Sequence, residues 1–116
     1  MIMVLAVGLT LAAHGNNLLV TNTAVVAYQP LSGLAQIRFD ISWSNSWRYT
    51  NINHDAVWVF FKVQREGDTA WTHANLAGSG INPAGCSTGV GTGVEIIVPD
   101  DGMGLFIRRA SEGFGS

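Results

Sequence analysis

The sequence is short of charged residues. Aspartate, glutamate, lysine and arginine make up only 12% of its 116 residues, about half of the ~25% that is usual for soluble domains. The formal net charge is −2, and the basic residues are mostly scattered along the chain. Such a distribution gives no electrostatic basis for binding nucleic acid or an anionic membrane surface. We therefore predict that neither is a partner.

Cysteine is almost absent. Cys86 is the only one, so no disulfide can form within the chain, and the fold must depend on its hydrophobic core. Gly85, Ser87 and Gly89 surround it and place it in a loop. No histidine or lysine stands close enough in the sequence to indicate a lowered thiol pKa. We predict an inert thiol, with redox chemistry or pairing with another chain as the alternatives.

The patterns that mark catalytic and metal sites are also missing. The histidines His14, His54 and His73 form no H-x-x-x-H pair, and no C-x-x-C accompanies them, so the spacing does not support a zinc site. No serine stands in a G-x-S-x-G context. Gly89–Gly93 lacks the lysine of a phosphate-binding loop and is interpreted as a bend. We predict no enzyme activity, no cofactor and no metal; a calcium ion at Asp100 and Asp101 is an alternative to a plain β-turn.

No apolar run is long enough to cross a bilayer as a helix, which needs about 20 residues. The run from Ile2 to Ala13 has instead the length of a signal-peptide core. Ala13 and Gly15 supply small residues at the −3 and −1 positions of a cleavage site, although no lysine or arginine precedes the run. We interpret Met1–Gly15 as a signal peptide with a truncated start, which predicts a secreted or cell-surface protein. The alternative is a first strand or helix of the domain itself.

Alternating apolar and polar residues are the main feature that is present. In Leu34–Trp43, the residues Ile37, Phe39 and Ile41 fall on one side of an extended chain, which is the period of a half-buried strand. The segment Ala56–Gln64 is apolar on both sides over most of its length, as in a strand covered on both faces. We predict that these two strands form the centre of a β-sandwich.

Further strands are predicted on either side of this pair. No helical period or internal repeat competes with them, and glycine-rich and proline-containing turns separate them. The pattern predicts an all-β fold, an antiparallel β-sandwich of jelly-roll type, with one domain over residues 16–116. The additional strands are Asn17–Tyr28, broken near Asn22, then Trp71–Leu76, Val94–Val98 and Met103–Arg109, with a polar loop at Ser44–Asp55 and a patternless region at Ala77–Gly93.

Four tryptophans are many for a chain of this length. Trp43 and Trp58 lie within strand patterns and are predicted to be core residues. Trp47, Tyr49 and Trp71 are the predicted ligand-binding residues, because exposed aromatic rings near polar side chains commonly stack on sugar rings. A carbohydrate is therefore one predicted ligand.

Four stretches of the sequence together resemble a known kind of domain: Phe39–Arg48, His54–Lys62, Trp71–Ala74 and Asp101–Arg109. They resemble the N-terminal β-rich domain of secreted bacterial proteins that also carry a domain of the formylglycine-generating-enzyme (sulfatase-modifying factor) type. The resemblance implies that the enzyme-like domain would lie beyond Ser116. It also implies that the sandwich is incomplete at its C-terminus, which would leave Met103–Arg109 as an edge strand open for pairing.

These observations predict a non-catalytic, exported module for protein interaction or surface assembly, accessory to a larger secreted protein. Its partner would be another protein, or a second copy bound through an edge strand. Two alternatives stay open at this point. One is a carbohydrate-binding module that uses Trp47, Tyr49 and Trp71, and the other is a fragment of an enzyme whose catalytic domain follows the chain.

Overall fold

The computed structural model describes residues 2–6 by their backbone, together with residues 17–115. Within these residues the chain is all-β and every strand pair is antiparallel, which confirms the predicted sandwich class. None of them forms a helix with the length and hydropathy to cross a membrane. The strands are β1 (Ile2–Ala6), β2 (Leu19–Gln29), β3 (Leu34–Ser42), β4 (Ser46–Arg48), β5 (Val57–Val59), β6 (Phe61–Arg65), β7 (Thr72–Ala74), β8 (Gly80–Ile81), β9 (Val94–Val98), β10 (Leu105–Arg109) and β11 (Gly113–Gly115).

The strands are arranged as two sheets and two ribbons. The three-stranded sheet has the order β1-β6-β7, and the four-stranded sheet has the order β5-β10-β9-β8. The ribbons are the long pair β2-β3 and the short pair β4-β11. The buried core lies between these layers and consists of Val57, Val59, Phe61, Ile96, Val98, Leu105 and Ile107.

The inner face of β3 covers this core as predicted. Ile37, Phe39 and Ile41 are half-buried and pack against it, while the residues between them are exposed. The ring of Phe39 lies 6.0 Å from that of Phe61, measured between centroids. This alternation follows from the period-2 geometry of the strand, in which neighbouring side chains point to opposite faces.

The first strand of the ribbon runs without interruption through Asn22, so the predicted break is not found, but the strand is irregular there. Asn22 has a φ of 54°, a left-handed conformation that asparagine tolerates better than most residues. The pairing of β2 with β3 shifts register between Thr21 and Ala24 and again between Val25 and Ala27. The extra residues at both shifts lie on β2, whereas β3 continues without an extra residue.

The prediction of one central strand over Ala56–Gln64 is wrong. The segment forms two strands separated by Phe60: β5 is an edge strand of the four-stranded sheet, and β6 is the middle strand of the three-stranded sheet. Neither is paired with β3, which faces them across the core. Trp58 is not part of the core cluster either, because it lies on the opposite face of β5 from the buried Val57 and Val59.

The last predicted strand also occupies a different place from the one expected. β10 pairs with β5 on one side and with β9 on the other, so Met103–Arg109 is not an open edge. The turn before it is confirmed by the hydrogen bond from the Gly102 amide to the Pro99 carbonyl. Three short strands occur where loops or the chain end were expected: β4, β8 and β11.

The N-terminal segment is described only in part. Ile2–Ala6 forms β1, which pairs with β6 over five residue positions. The rest of the predicted signal peptide, including His14, lies outside the described residues. Cleavage after Gly15 stays a prediction, and β1 is the strand that this cleavage would remove.

Candidate functional site

The short ribbon β4-β11 carries an aromatic surface on one side and polar anchors on the other. Its register places Trp47 opposite Phe114, with Ser46 opposite Gly115 on one side of that pair. Because side chains alternate along a strand, Ser46 and Arg48 point inward and are buried, while Trp47 points outward. The ribbon therefore presents its rings to solvent and ties itself to the body through its other face.

We call Trp47 and Phe114 the aromatic face. Trp47 is 38% exposed and Phe114 is 80% exposed. Directly opposite residues of an antiparallel pair point to the same side of the ribbon, so both side chains leave it on the same face. Tyr49, which follows β4, is 68% exposed beside them. Two of the three predicted ligand residues are thus close together, and Phe114 joins them.

Trp71 does not belong to this ribbon. It comes directly before β7, the edge strand of the three-stranded sheet, and its side chain is exposed. His73 in the same strand stacks on Phe60, with ring centroids 6.2 Å apart and planes at 14°. The structure therefore does not group Trp71 with Trp47 and Tyr49 on one ribbon.

An ion-pair network lies on the side of the ribbon opposite the aromatic face. Glu95 on β9 receives two guanidinium groups, with its Oε1 atom 3.0 Å from Arg48 Nη1 and 2.7 Å from Arg108 Nε. The arginine side chains are 9% exposed and the glutamate side chain is 14% exposed. Charges this far from water need partners of opposite sign to remain ionised. The network thus fixes β4 to strands β9 and β10.

The same arginines also hold the polar loop over residues 49–55. Arg48 donates to the side-chain oxygen of Asn51 and, at 2.7 Å, to the Arg109 carbonyl. Arg108 donates to the Asn51 carbonyl at 3.3 Å and lies 3.5 Å from His54 Nε2. Two positions of this loop, Asn51 and His54, are therefore held by the buried arginine side chains.

His54 is a poor candidate for metal binding or acid–base chemistry. An arginine can only donate, so the contact with Arg108 assigns the acceptor role to Nε2 and the proton to Nδ1. Nδ1 is buried and has no hydrogen-bond partner among the described residues. Those residues also contain no group of three or more histidine, cysteine or acidic side chains placed to hold a metal ion. We interpret His54 as one of the residues through which the arginines hold this loop.

Asp55 links the aromatic face to the core side of the ribbon. Its Oδ1 atom accepts the backbone N–H of Trp47 at 3.0 Å, and its Oδ2 atom accepts the indole N–H of Trp43 at 3.2 Å. Ser46 donates to the Gly115 carbonyl and accepts from Arg109 at 3.0 Å. Every one of these bonds restrains the ribbon, so the backbone that carries the aromatic face is fixed to the body of the protein.

The other predicted chemical groups have local structural roles. Asp101 accepts the backbone N–H of Met103 at 3.0 Å and so stabilises the turn. Cys86 is half-buried in its loop against the edge of the core, and this burial raises the pKa of its thiol. A raised pKa means little thiolate at neutral pH, which agrees with an inert cysteine.

Sequence reasoning missed Phe114 and the arginine network. Phe114 lies near the end of the chain, where Gly113 and Gly115 on either side give no strand pattern. The network joins residues 48, 95 and 108, whose separation in sequence hides their proximity. The one available signal was that Arg108 interrupts an apolar strand, because a charge at such a position needs a buried partner.

Comparison with protein-family models, curated proteins and solved structures finds no match for this chain.

Proposed function

We propose that the chain is a non-catalytic, exported β-sandwich module for protein interaction or surface assembly. The observation that carries this proposal is the distal part of the long ribbon, residues 25–36, which we call the arm. All of its residues are exposed. It contains the large apolar side chains of Val25, Val26, Tyr28, Leu31 and Leu34.

The arm has the physical character of a contact surface. A two-stranded ribbon has little stability of its own in water and normally packs against something. The arm contains no charged residue, whereas exposed strands usually carry charges that discourage association. A contiguous, exposed apolar patch of this kind is typical of protein interaction sites.

Binding by the arm can be tested with matched surface variants. One variant combines Val26→Thr, Leu31→Ser and Leu34→Thr in the arm. The control combines Ile52→Ser, Ile81→Thr and Val90→Ser, which are also exposed apolar residues but lie outside it. Sedimentation velocity of each chain, alone and with purified bacterial cell-envelope fragments, measures self-association and surface binding.

We expect the parent and the control to associate or to pellet with the envelope fragments, and the arm variant to lose this behaviour. A parent chain that stays a monomer at every concentration and never pellets would contradict the proposal. Equal loss in the control variant would also contradict it, because the arm would then have no special role.

The second candidate function is carbohydrate binding at the aromatic face. The observation that favours it is the pairing of Trp47 with Phe114 on a ribbon whose other side is fixed by buried ion pairs. Rigid, exposed rings offer a flat apolar surface for a sugar ring, and Tyr49 adds a hydroxyl that can bond to sugar hydroxyls. Trp71 precedes strand β7 of another sheet, so it serves as the comparison position.

Affinity gels containing individual soluble polysaccharides test the second candidate. We expect retardation of the parent chain to be lost in Trp47→Ala and Phe114→Ala, and to be kept in Trp71→Ala. If no polysaccharide retards the parent chain, the carbohydrate hypothesis fails and the interaction module remains. The signal-like segment Met1–Gly15 and the resemblance to accessory domains of secreted bacterial proteins are the reasons for proposing a role outside the cell.

A further inference from the structure

Strand β3 has one edge that no described strand covers. It pairs with β2 on one side, and the two form a separate two-stranded ribbon. Proteins usually protect such edges with bulges, prolines or lysines. β2 is interrupted by two register shifts, but β3 contains neither proline nor lysine and stays regular over nine residues.

The sequence of β3 is complementary to itself in the antiparallel direction. With a two-fold axis at Phe39, Arg38 lies opposite Asp40 of a second copy, and Asp40 lies opposite the second copy's Arg38. The same register places Ile37 opposite Ile41. It therefore brings together opposite charges on the exposed face and apolar side chains on the inner face, the two kinds of cross-strand pair that stabilise a sheet.

We propose that two copies of this chain pair through their β3 edges, antiparallel and centred on Phe39, to form one four-stranded sheet β2-β3-β3-β2. We choose a second copy as the partner because of the charges in this register. When the partner strand has the same sequence, each charged residue of β3 meets a residue of opposite charge. A two-fold contact of this kind uses the same surface on both partners and closes on itself, so it yields a dimer and no filament.

The proposed register also predicts where the exposed arms lie in the dimer. A two-fold axis perpendicular to the sheet keeps both inner faces on the same side, so each arm points along the body of the other copy. Ala35, which pairs with Tyr28 in the arm, then comes level with Trp43 of the second copy. Arm residues that are exposed in one chain would be covered in the pair, which supplies an apolar contribution besides the main-chain hydrogen bonds.

Charge reversal tests the register directly. Arg38 and Asp40 are both exposed, so substitutions there should leave the fold intact. Arg38→Asp places two carboxylates opposite each other twice in the dimer and should weaken dimerisation about tenfold or more. Asp40→Arg should do the same with two guanidinium groups. The combined Arg38→Asp and Asp40→Arg chain restores opposite charges and should dimerise again, as measured by sedimentation equilibrium.

Two controls separate the register from other effects. Arg65→Asp makes the same change of net charge at an exposed position at the end of β6 and should leave dimerisation unchanged. Asn22→Ala removes the hydrogen bond that Asn22 donates to Asp40 at 2.8 Å within one chain. It should also leave dimerisation unchanged, because the proposed contact lies between copies.

Cysteine cross-linking provides a second, independent test. In a Cys86→Ser background, Arg38→Cys chains mixed with Asp40→Cys chains should form disulfide-linked heterodimers. Directly opposite residues have Cα atoms about 4.5–5.5 Å apart, which lies within the range that disulfides span. Either chain alone should give little cross-linked product, because each cysteine then lies opposite an aspartate or an arginine.

This inference rests on the proposed role in assembly, and the two can fail separately. A dimer that the charge reversals do not weaken, or that the combined variant does not restore, overturns the register and leaves the assembly module standing. A chain that pellets with envelope fragments but never dimerises also overturns the inference alone. A monomer that binds nothing overturns both.

Discussion

Trp58 and Phe106 pack against each other on the outer side of the four-stranded sheet, with ring centroids 4.6 Å apart and planes at 51°. They are opposite residues of β5 and β10. Gly104, just before β10, leaves the space that the indole fills: a Cβ there would lie 2.5 Å from Trp58 Cζ2 and 2.6 Å from the Val59 carbonyl oxygen. The ring pair therefore depends on a position without a side chain.

The substitution Gly104→Ala should destabilise the fold by about 1–3 kcal/mol, because the indole and a backbone carbonyl would both have to move. Urea unfolding followed by tryptophan fluorescence measures this change. Gly89→Ala is the matched control, since its Cβ would meet only the end of the Thr92 side chain, at 3.2 Å. Equal unfolding midpoints for the two variants would contradict the packing argument.

The substitution Glu95→Gln should cost about 3 kcal/mol of unfolding free energy. It removes the carboxylate that receives both Arg48 and Arg108, and buried charges without a counter-charge are strongly destabilising. Thermal and urea unfolding both report this loss. Glu112→Gln, at an exposed position, should change stability by less than about 0.5 kcal/mol, and a comparable loss there would show that the effect is general.

The substitution Asp55→Asn should loosen the ribbon that carries the aromatic face. One side-chain oxygen remains, but the amide nitrogen now meets either the Trp47 N–H or the Trp43 indole N–H, and two donors cannot bond to each other. We expect a loss of about 1–2 kcal/mol and a shift in the tryptophan emission of the folded state. Asp68→Asn, in an exposed turn, should change neither.

Alkylation of Cys86 should depend on pH with a midpoint above that of a free cysteine. Burial raises the pKa of this thiol, so the folded protein keeps the proton at pH values where an unfolded chain has lost it. The rate of reaction with iodoacetamide, measured against pH and compared with a peptide of residues 84–88, checks the direction. A midpoint at or below that of the peptide would contradict it.

The same shift has a consequence for stability. A raised folded-state pKa contributes stability that is fully present below the unfolded pKa of about 8.5 and is lost as the pH rises through the folded pKa. The free energy of unfolding of the parent, measured with urea, should therefore fall more over this alkaline range than that of Cys86→Ser.

The parts of the fold that could be predicted from sequence are those determined locally. The alternation in Leu34–Ser42 directly gives the inner face of β3, and the irregularity at Asn22 and the turn at Pro99–Gly102 follow from residues with known backbone preferences. Strand β9, Val94–Val98, was predicted with its observed bounds. Each of these depends on neighbouring residues alone.

The strand that was predicted wrongly shows what local pattern cannot supply. Val57–Val59 and Phe61–Arg65 form one apolar run in sequence, but their pairing partners are β10 for the first and β1 and β7 for the second. A run that changes sheets has the same composition as one that does not, because the difference lies in its partners. The prediction of Trp58 as a core residue failed for the same reason, because the apolar run does not show which face of β5 the core covers.

The candidate site was predictable only in part, for a similar reason. Trp47 and Tyr49 stood out as aromatic residues in a polar segment, and both are exposed. Phe114 could not be assigned to the same surface, because its partner in the ribbon is 67 positions earlier in the chain. Long-range pairing of short strands leaves no periodic signal in so few residues.

Phe60 alone separates β5 from β6, so the two sheets share a stiff covalent joint. A force that separates β6 from β1 and β7 passes through this one residue to β5, which is paired with β10. The sheets should then yield together, and pulling on a single molecule should give one rupture event. The two sheets would in this way resist force as one body.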